Sequence, residues 1–397
     1  MAENLLITMA KALVKGKLHI GKLTGAERFI LSQVALPDRV ATMLGATNFE
    51  PYLIDKKYNY KMLAESKEAN IELFFKIKER FPFDTVFVPY WLGLMLTGAA
   101  ELGVRFKIEE SRVPYAVDYP IKEMKDLRNI APPKEPSGYF KMALDIHREV
   151  QRHQALFYVN DGPWDLAMLL RGDQNLPRDF RLHKDYVEAT DPARKEKIRK
   201  YGDPDLWPAI MELTTSIAIQ NFRLAKQYGI NMMGAGMADQ FATEPVLSVD
   251  DFIKYVLPYI QRALDALDGK VGMGYMVTSP QKLEKLLAHP VLGRSLATSG
   301  YINYIFPTTP EGLTLPEYDQ PMLELAKKNK KTYMYLIHGK FIRDATPQEL
   351  EDVVKRICQM ATGMKVRLNI AVLTVAPGTD LQNIDMILSS VDKYGRY

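Results

Sequence analysis

The strongest constraint on this chain is a recurring order of elements. Eight short β-rich runs are each followed by a turn and then a longer helical pattern. The runs cover 51–55, 85–90, 155–160, 230–236, 270–275, 301–306, 331–338 and 366–372. Most are continuous apolar stretches with little alternation. Strands covered on both faces look like this, so the runs predict a parallel sheet with helices outside it. The segments between them carry helical signals. Residues 65–80 place Ile71, Phe74 and Phe75 on one face, widened by Leu73 and Ile77. Ser248 precedes Asp250 and Asp251 as an N-terminal cap. Thr346-Pro347 with Glu349 three residues after the cap position forms a capping box.

Eight strand–helix units predict an α/β fold, a closed (β/α)8 TIM barrel. The expected arrangement is one barrel domain over 1–397, with an N-terminal helical extension over 1–36. Long excursions over the barrel mouth are expected at 92–150 and 173–208. A doubly wound open sheet is the runner-up. Against it, no G-x-G-x-x-G follows the first strand, and Gly234-Ala-Gly236 is too short for a dinucleotide fingerprint.

Composition narrows the function. The chain is 47% hydrophobic with a net charge of +4, which supplies a core and excludes global disorder. Its densest basic run, 327–331, reads as a solvated helix end, so no nucleic-acid partner is expected. A single cysteine, Cys358, rules out an internal disulfide framework and fits a cytoplasmic setting. No apolar run reaches the roughly 18–20 residues that span a membrane, and no signal-peptide pattern opens the chain.

In such barrels chemistry sits at the carboxyl ends of the strands. That rule selects Lys56 after the first strand and Tyr90 and Trp91 after the second. It selects Asn160, Asp161, Trp164 and Asp165 after the third, and Asp239 after the fourth. Tyr275 and Tyr304 belong to the fifth and sixth strands, and His338 and Lys340 end the seventh. The set is aromatic and hydrogen-bonding, as suits a flat or bulky organic ligand. His338 is a candidate acid/base, since its proton affinity lies near neutrality. No H-E-x-x-H, C-x-x-C or calcium-type loop occurs, so neither zinc nor another metal is expected.

Four stretches carry a resemblance to a known family. They are Arg80-Phe-Pro-Phe-Asp84, Gly162-Pro-Trp-Asp-Leu-Ala167 with Arg171-Gly172, Leu247 to Phe252 running into Val256-Leu-Pro-Tyr259, and Ala376-Pro-Gly378 to Tyr394-Gly395. In order and spacing the chain resembles the uroporphyrinogen decarboxylase superfamily from about Pro37 to the C-terminus. That superfamily contains the decarboxylase and cobamide-dependent methyltransferases, and the resemblance implies a (β/α)8 barrel. The sequence departs from both branches. Asp55-Lys-Lys-Tyr-Asn-Tyr60 stands where the decarboxylase has an arginine-rich motif, and Trp91 stands at its pyrrole-holding aspartate. The zinc ligands of the thiol-methylating branch align with Leu336, His338 and Thr379.

Within that resemblance the chain is expected to be a corrinoid-dependent methyltransferase closer to the second branch. It would move a methyl group from a small O- or N-methylated compound, such as a methoxylated aromatic, to a corrinoid (cobalamin) on a separate partner protein. His338, Tyr275 and Tyr304 are the expected proton donors and Asp239 the orienting group. Tyr90, Trp91, Asn160, Asp161, Trp164, Asp165, Arg171, Lys56 and Lys340 are expected against substrate. A homodimer is allowed. The alternatives are a decarboxylase of a cyclic acid anchored by Lys56, Lys57 and Arg171, and a non-catalytic barrel that binds a tetrapyrrole or corrinoid.

Overall fold

A computed structural model of the chain describes residues 25–32, 35–49, 51–86, 98–153, 158–232, 235–239, 241–242, 246–267, 272–274, 276–277, 279–290, 306–307 and 316–397. Its strands are β1 (Ala41–Phe49), β2 (Thr85–Val86), β3 (Arg105–Lys107), β4 (Tyr115–Asp118), β5 (Val159–Asp161), β6 (Gly236–Ala238), β7 (Gly272–Gly274), β8 (Met276–Val277), β9 (Phe306–Pro307), β10 (Tyr333–Ile337) and β11 (Leu368–Val375). All but β3 and β4 pair in parallel. The orders are β10-β11-β1-β2, β5-β6-β7 and β8-β9. The last strand, β11, lies beside the first, with Met43 opposite Ala371. A first strand paired to both its successor and the last strand of the chain is what barrel closure requires, and the fold is a (β/α)8 barrel.

The first strand corrects the sequence reading. The run 51–55 was expected there, but Pro51–Leu53 is a 3-10 turn and β1 is the preceding segment. That segment, ATMLGATNF, holds two alanines, a glycine and an asparagine, which have weak strand preference. Burial on both sides by β2 and β11 makes it a strand. Small residues suit the inner face. Ala41, Met43, Met334, Leu336 and Ala371 form a core cluster of their own together with Phe29. They recur with period two along β1 and β10 and share a level across β11, where Ala371 pairs with both Met43 and Leu336. These residues line the barrel interior. Phe29, from the helix Gly25–Leu31, joins the residues at the starts of β1 and β10 and fills that end.

Val40, Leu44, Tyr333, Tyr335, Ile370 and Val372 belong instead to the larger core under the helices. The two capping signals are formed as read. Ser248 accepts from the Asp251 N–H, and Thr346 and Glu349 make the reciprocal box before the helix Pro347–Met364. The excursions are structured. Residues 105–118 form the antiparallel β3–β4 pair, and Gly138–Val150 is a helix packed on Lys67–Arg80. The helices Asn175–Glu188 and Pro192–Arg199 fill the second excursion. Among the described residues no helix is long and apolar enough to cross a membrane.

Candidate active site

β5 ends at Asp161, and Asp239 directly follows β6. These strands pair in parallel with Asp161 opposite Ala238, so both carboxyl groups stand at neighbouring strand ends. The chain then turns. Gly162 donates its N–H to the Ala238 carbonyl at 2.6 Å and becomes the cap residue of the helix Pro163–Arg171. Glycine has no side-chain oxygen to satisfy the free N–H groups of a helix start. Asp239 supplies one from the next strand. Its Oδ1 accepts from the N–H of Trp164 at 2.9 Å and of Asp165 at 3.0 Å.

The remaining oxygen of this wholly buried side chain, Oδ2, finds no hydrogen-bond partner among the described residues. Burial holds the Asp239 carboxyl well above the usual carboxylate range. The two amides pull the other way, and the neighbouring Asp161 charge adds to the rise. Burial pushes Asp161, half-buried at its strand end, up to about 7. Two like charges this close resist ionising together. Asp239 is therefore the more reluctant of the two to ionise, and Asp161 titrates near neutrality.

Around the pair, Asn160 donates to the Tyr158 hydroxyl at 2.8 Å and accepts from the Asp161 N–H at 2.8 Å. Asp165 Oδ1 accepts from the Phe241 N–H at 3.2 Å, tying down the segment after β6. Asn160, Asp161, Asp165 and Asp239 are thus brought together at neighbouring strand ends. His338 directly follows β10, elsewhere on the strand-end face. Its Nδ1 accepts from the Lys340 N–H at 3.2 Å and caps the helix Gly339–Asp344. Partial burial, then the Lys340 charge, lowers its proton affinity. Lys340 and Lys56 are exposed. Tyr90, Trp91, Tyr275 and Tyr304 lie outside the described residues.

Two expected substrate contacts are corrected. Trp164 is fully buried behind the strand end, its ring 5.9 Å from Phe180 and 6.5 Å from Trp207. It packs helices together and is no pocket wall. Arg171 is buried at the far end of its helix. It pairs with Asp179 at 2.6 Å and donates to the carbonyls of Ile121 and Lys122, which hold the first excursion in place. Sequence reasoning missed the use of Gly162. The signal was a Gly-Pro at a helix start with no local capping side chain. Among the described residues no three His, Cys, Asp or Glu side chains gather where they could hold one metal ion.

A buried and a half-buried carboxyl side by side at the strand ends of such a barrel are the kind of arrangement found at enzyme sites. Residues 40–394 match the family model described as uroporphyrinogen decarboxylase (URO-D), and the chain belongs to that family. No curated protein matches the chain significantly. A solved structure, a methyltransferase from Methanosarcina mazei, superposes with a TM-score of 0.67 at 15% identity, covering 94% of this chain and 99% of that one. That likeness is one of fold. A β-glycosidase from the hyperthermophile Thermosphaera aggregans covers 91% of this chain and 97% of its own at 10% identity, but its TM-score of 0.35 carries no argument.

Proposed function

We propose that this chain is a methyltransferase that takes a methyl group from a small O- or N-methylated compound and passes it to a corrinoid held by a separate protein. The Asp161–Asp239 pair is the observation that carries the reading. Breaking the bond from methyl carbon to oxygen or nitrogen leaves an electron pair on the heteroatom, which must take a proton. A half-buried carboxyl whose proton affinity lies near neutrality is suited to give one, and such help is worth typically 10²–10⁴-fold. Asp161 is the donor in this scheme, and Asp239 is the positioning residue that fixes the turn on which Asp161 sits. A corrinoid brought by the partner would supply the electron pair that accepts the methyl group. The donor set fits that need in one respect: Asp161 offers a proton near neutrality at a strand end, and a buried carboxyl with one uncommitted oxygen stands behind it. Family membership and the methyltransferase fold neighbour support the reading.

The family description favours a second reading, decarboxylation of a cyclic polyacid. The cations it needs are largely engaged. Lys57 pairs with Glu72 at 2.7 Å and Arg171 with Asp179. The deciding experiment mixes the protein with free cob(I)alamin and a panel of methoxylated aromatics and methylated amines, followed by visible spectroscopy. Conversion with at least one donor is expected. No conversion with any donor, alongside consumption of uroporphyrinogen, would establish the second reading in place of the first.

A further inference from the structure

The second excursion folds against the first to enclose an open groove of about 1280 Å³. Arg128 comes from the 3-10 segment Met124–Asn129, Arg181 from the helix Asn175–Glu188, and Arg194 and Lys197 from the helix Pro192–Arg199. All four are exposed, and none makes an ion pair or side-chain hydrogen bond among the described residues. Many surface cations, such as Lys57, Arg80 and Lys393, sit on carboxylates at 2.6–2.8 Å, and those unpaired among the described residues, such as Lys61 and Lys226, are scattered, whereas here four unpaired cations gather in one groove. Arg194 and Lys197 are three apart on one helix, so they face the same way and repel by about 0.2–0.5 kcal/mol. Their helix buries no residue of its own, so packing does not explain the arrangement. Tyr201 stands at the lip with 75% of its surface exposed. Arginine and tyrosine at an exposed rim are the residue types that anchor protein interfaces.

We infer that this groove docks an acidic surface of a partner protein. Nucleic acid fits less well, because Asp185 and Asp203 line the same groove and would face a continuous phosphate backbone. A protein surface of mixed charge can meet four cations and still leave those carboxylates in water. The groove is joined to the strand-end site. The helix that Asp239 caps ends at Arg171 on the groove floor, and its nine residues span roughly 13 Å. A partner seated there would touch the far end of the helix whose start Asp239 caps. The inference stands on charge and shape and does not depend on the reaction proposed above.

The test uses the full chain and a fluorescently labelled acidic peptide of glutamate and leucine, read by anisotropy. Saturable binding that weakens as salt rises is expected. Joint reversal of Arg128→Glu, Arg181→Glu, Arg194→Glu and Lys197→Glu should weaken it by about tenfold or more, while Lys355→Glu and Arg152→Glu, elsewhere on the surface, should change it by less than about twofold. Tyr201→Ala should weaken the binding that persists at high salt. The melting temperature of the fourfold variant should not fall, since the four side chains hold nothing. No peptide binding at low salt, equal binding by the fourfold variant, or tighter binding of duplex DNA of matched charge would each overturn the inference.

Discussion

The carboxyl group of Asp239 lies against the backbone of Gly162 so closely that a Cβ there would sit 2.2 Å from Oδ2 and 2.5 Å from Cγ. Neither side can yield readily. Asp239 is held by two amides, and Gly162 is held by the Ala238 carbonyl on one side and the start of a helix on the other. Gly162→Ala is therefore expected to push Asp239 off the helix start. Overpacking of this kind costs about 1–3 kcal/mol, and the lost cap adds about 1. A melting temperature equal to that of the natural chain would show that the contact is not tight.

Asp239→Asn and Asp239→Ala separate positioning from acid chemistry. Asparagine has the shape of the protonated acid, and its Oδ1 can accept from Trp164 and Asp165 as before. It should keep the fold and most of the turnover. Alanine leaves two buried amides without an acceptor, at about 1–3 kcal/mol each, and should lower stability and turnover together. Loss of turnover in the asparagine variant at unchanged stability would mean that Asp239 itself moves the proton.

Asp161 should impose a pH limit on the reaction. With its proton affinity raised to about 7, the acid form is present below that pH and lost above it, so kcat/KM should be flat in mild acid and fall about tenfold per pH unit in alkali. Asp161→Asn should abolish that limb and lower the rate by about 10²–10⁴. A rate that rises from pH 7 to 9 in the natural chain would reverse the assignment to a base.

The same residue links pH to stability. The folded state holds the Asp161 proton up to about pH 7, whereas an unfolded aspartate releases it near pH 4. Between those values the native state binds more protons, so stability falls as pH rises and levels off above 7. Asp161→Asn removes that penalty. Its denaturation midpoint should match the natural chain at pH 4 and exceed it by a growing margin up to pH 7, with a constant gap beyond. A gap that shrinks with rising pH would contradict the burial of this carboxyl.

The barrel was legible because continuous apolar runs alternating with capped helices have few other solutions. Strand positions were less so. Ala41–Phe49 mixes strand-favouring threonines and phenylalanine with alanine, glycine and asparagine, and its pairing with β2 and β11 decides it as a strand. Asp161 and Asp239 could be named from strand ends, since a strand fixes which residue emerges at its top. What each does could not be read, because it depends on a contact between residues 162 and 239 that no local pattern encodes. Trp164 and Arg171 misled for a related reason. A helix start at the mouth carries side chains away from it on most of its faces, and an arginine signals a substrate only when no buried carboxylate such as Asp179 already holds it.

At the opposite, strand-start end of the barrel, Asp84 should matter for stability and not for turnover. Its buried carboxylate accepts from Arg28 at 2.6 Å, from Arg39 at 2.8 Å, and from the N–H and hydroxyl of Thr42 at 2.8 and 3.1 Å. It thereby joins the N-terminal helix to β1 and β2. Removing one partner of a buried ion pair costs about 3–5 kcal/mol when the other charge is left bare. Here Arg28 retains Asp38 and Arg39 retains Asp392, so Asp84→Ala should fall at the lower end, about 3 kcal/mol. Denaturant unfolding should show a lower midpoint at an unchanged slope, and kcat and KM should hold at temperatures where the variant is folded. A change in KM in the folded variant would show that the N-terminal face communicates with the mouth, against the usual division of labour in this fold.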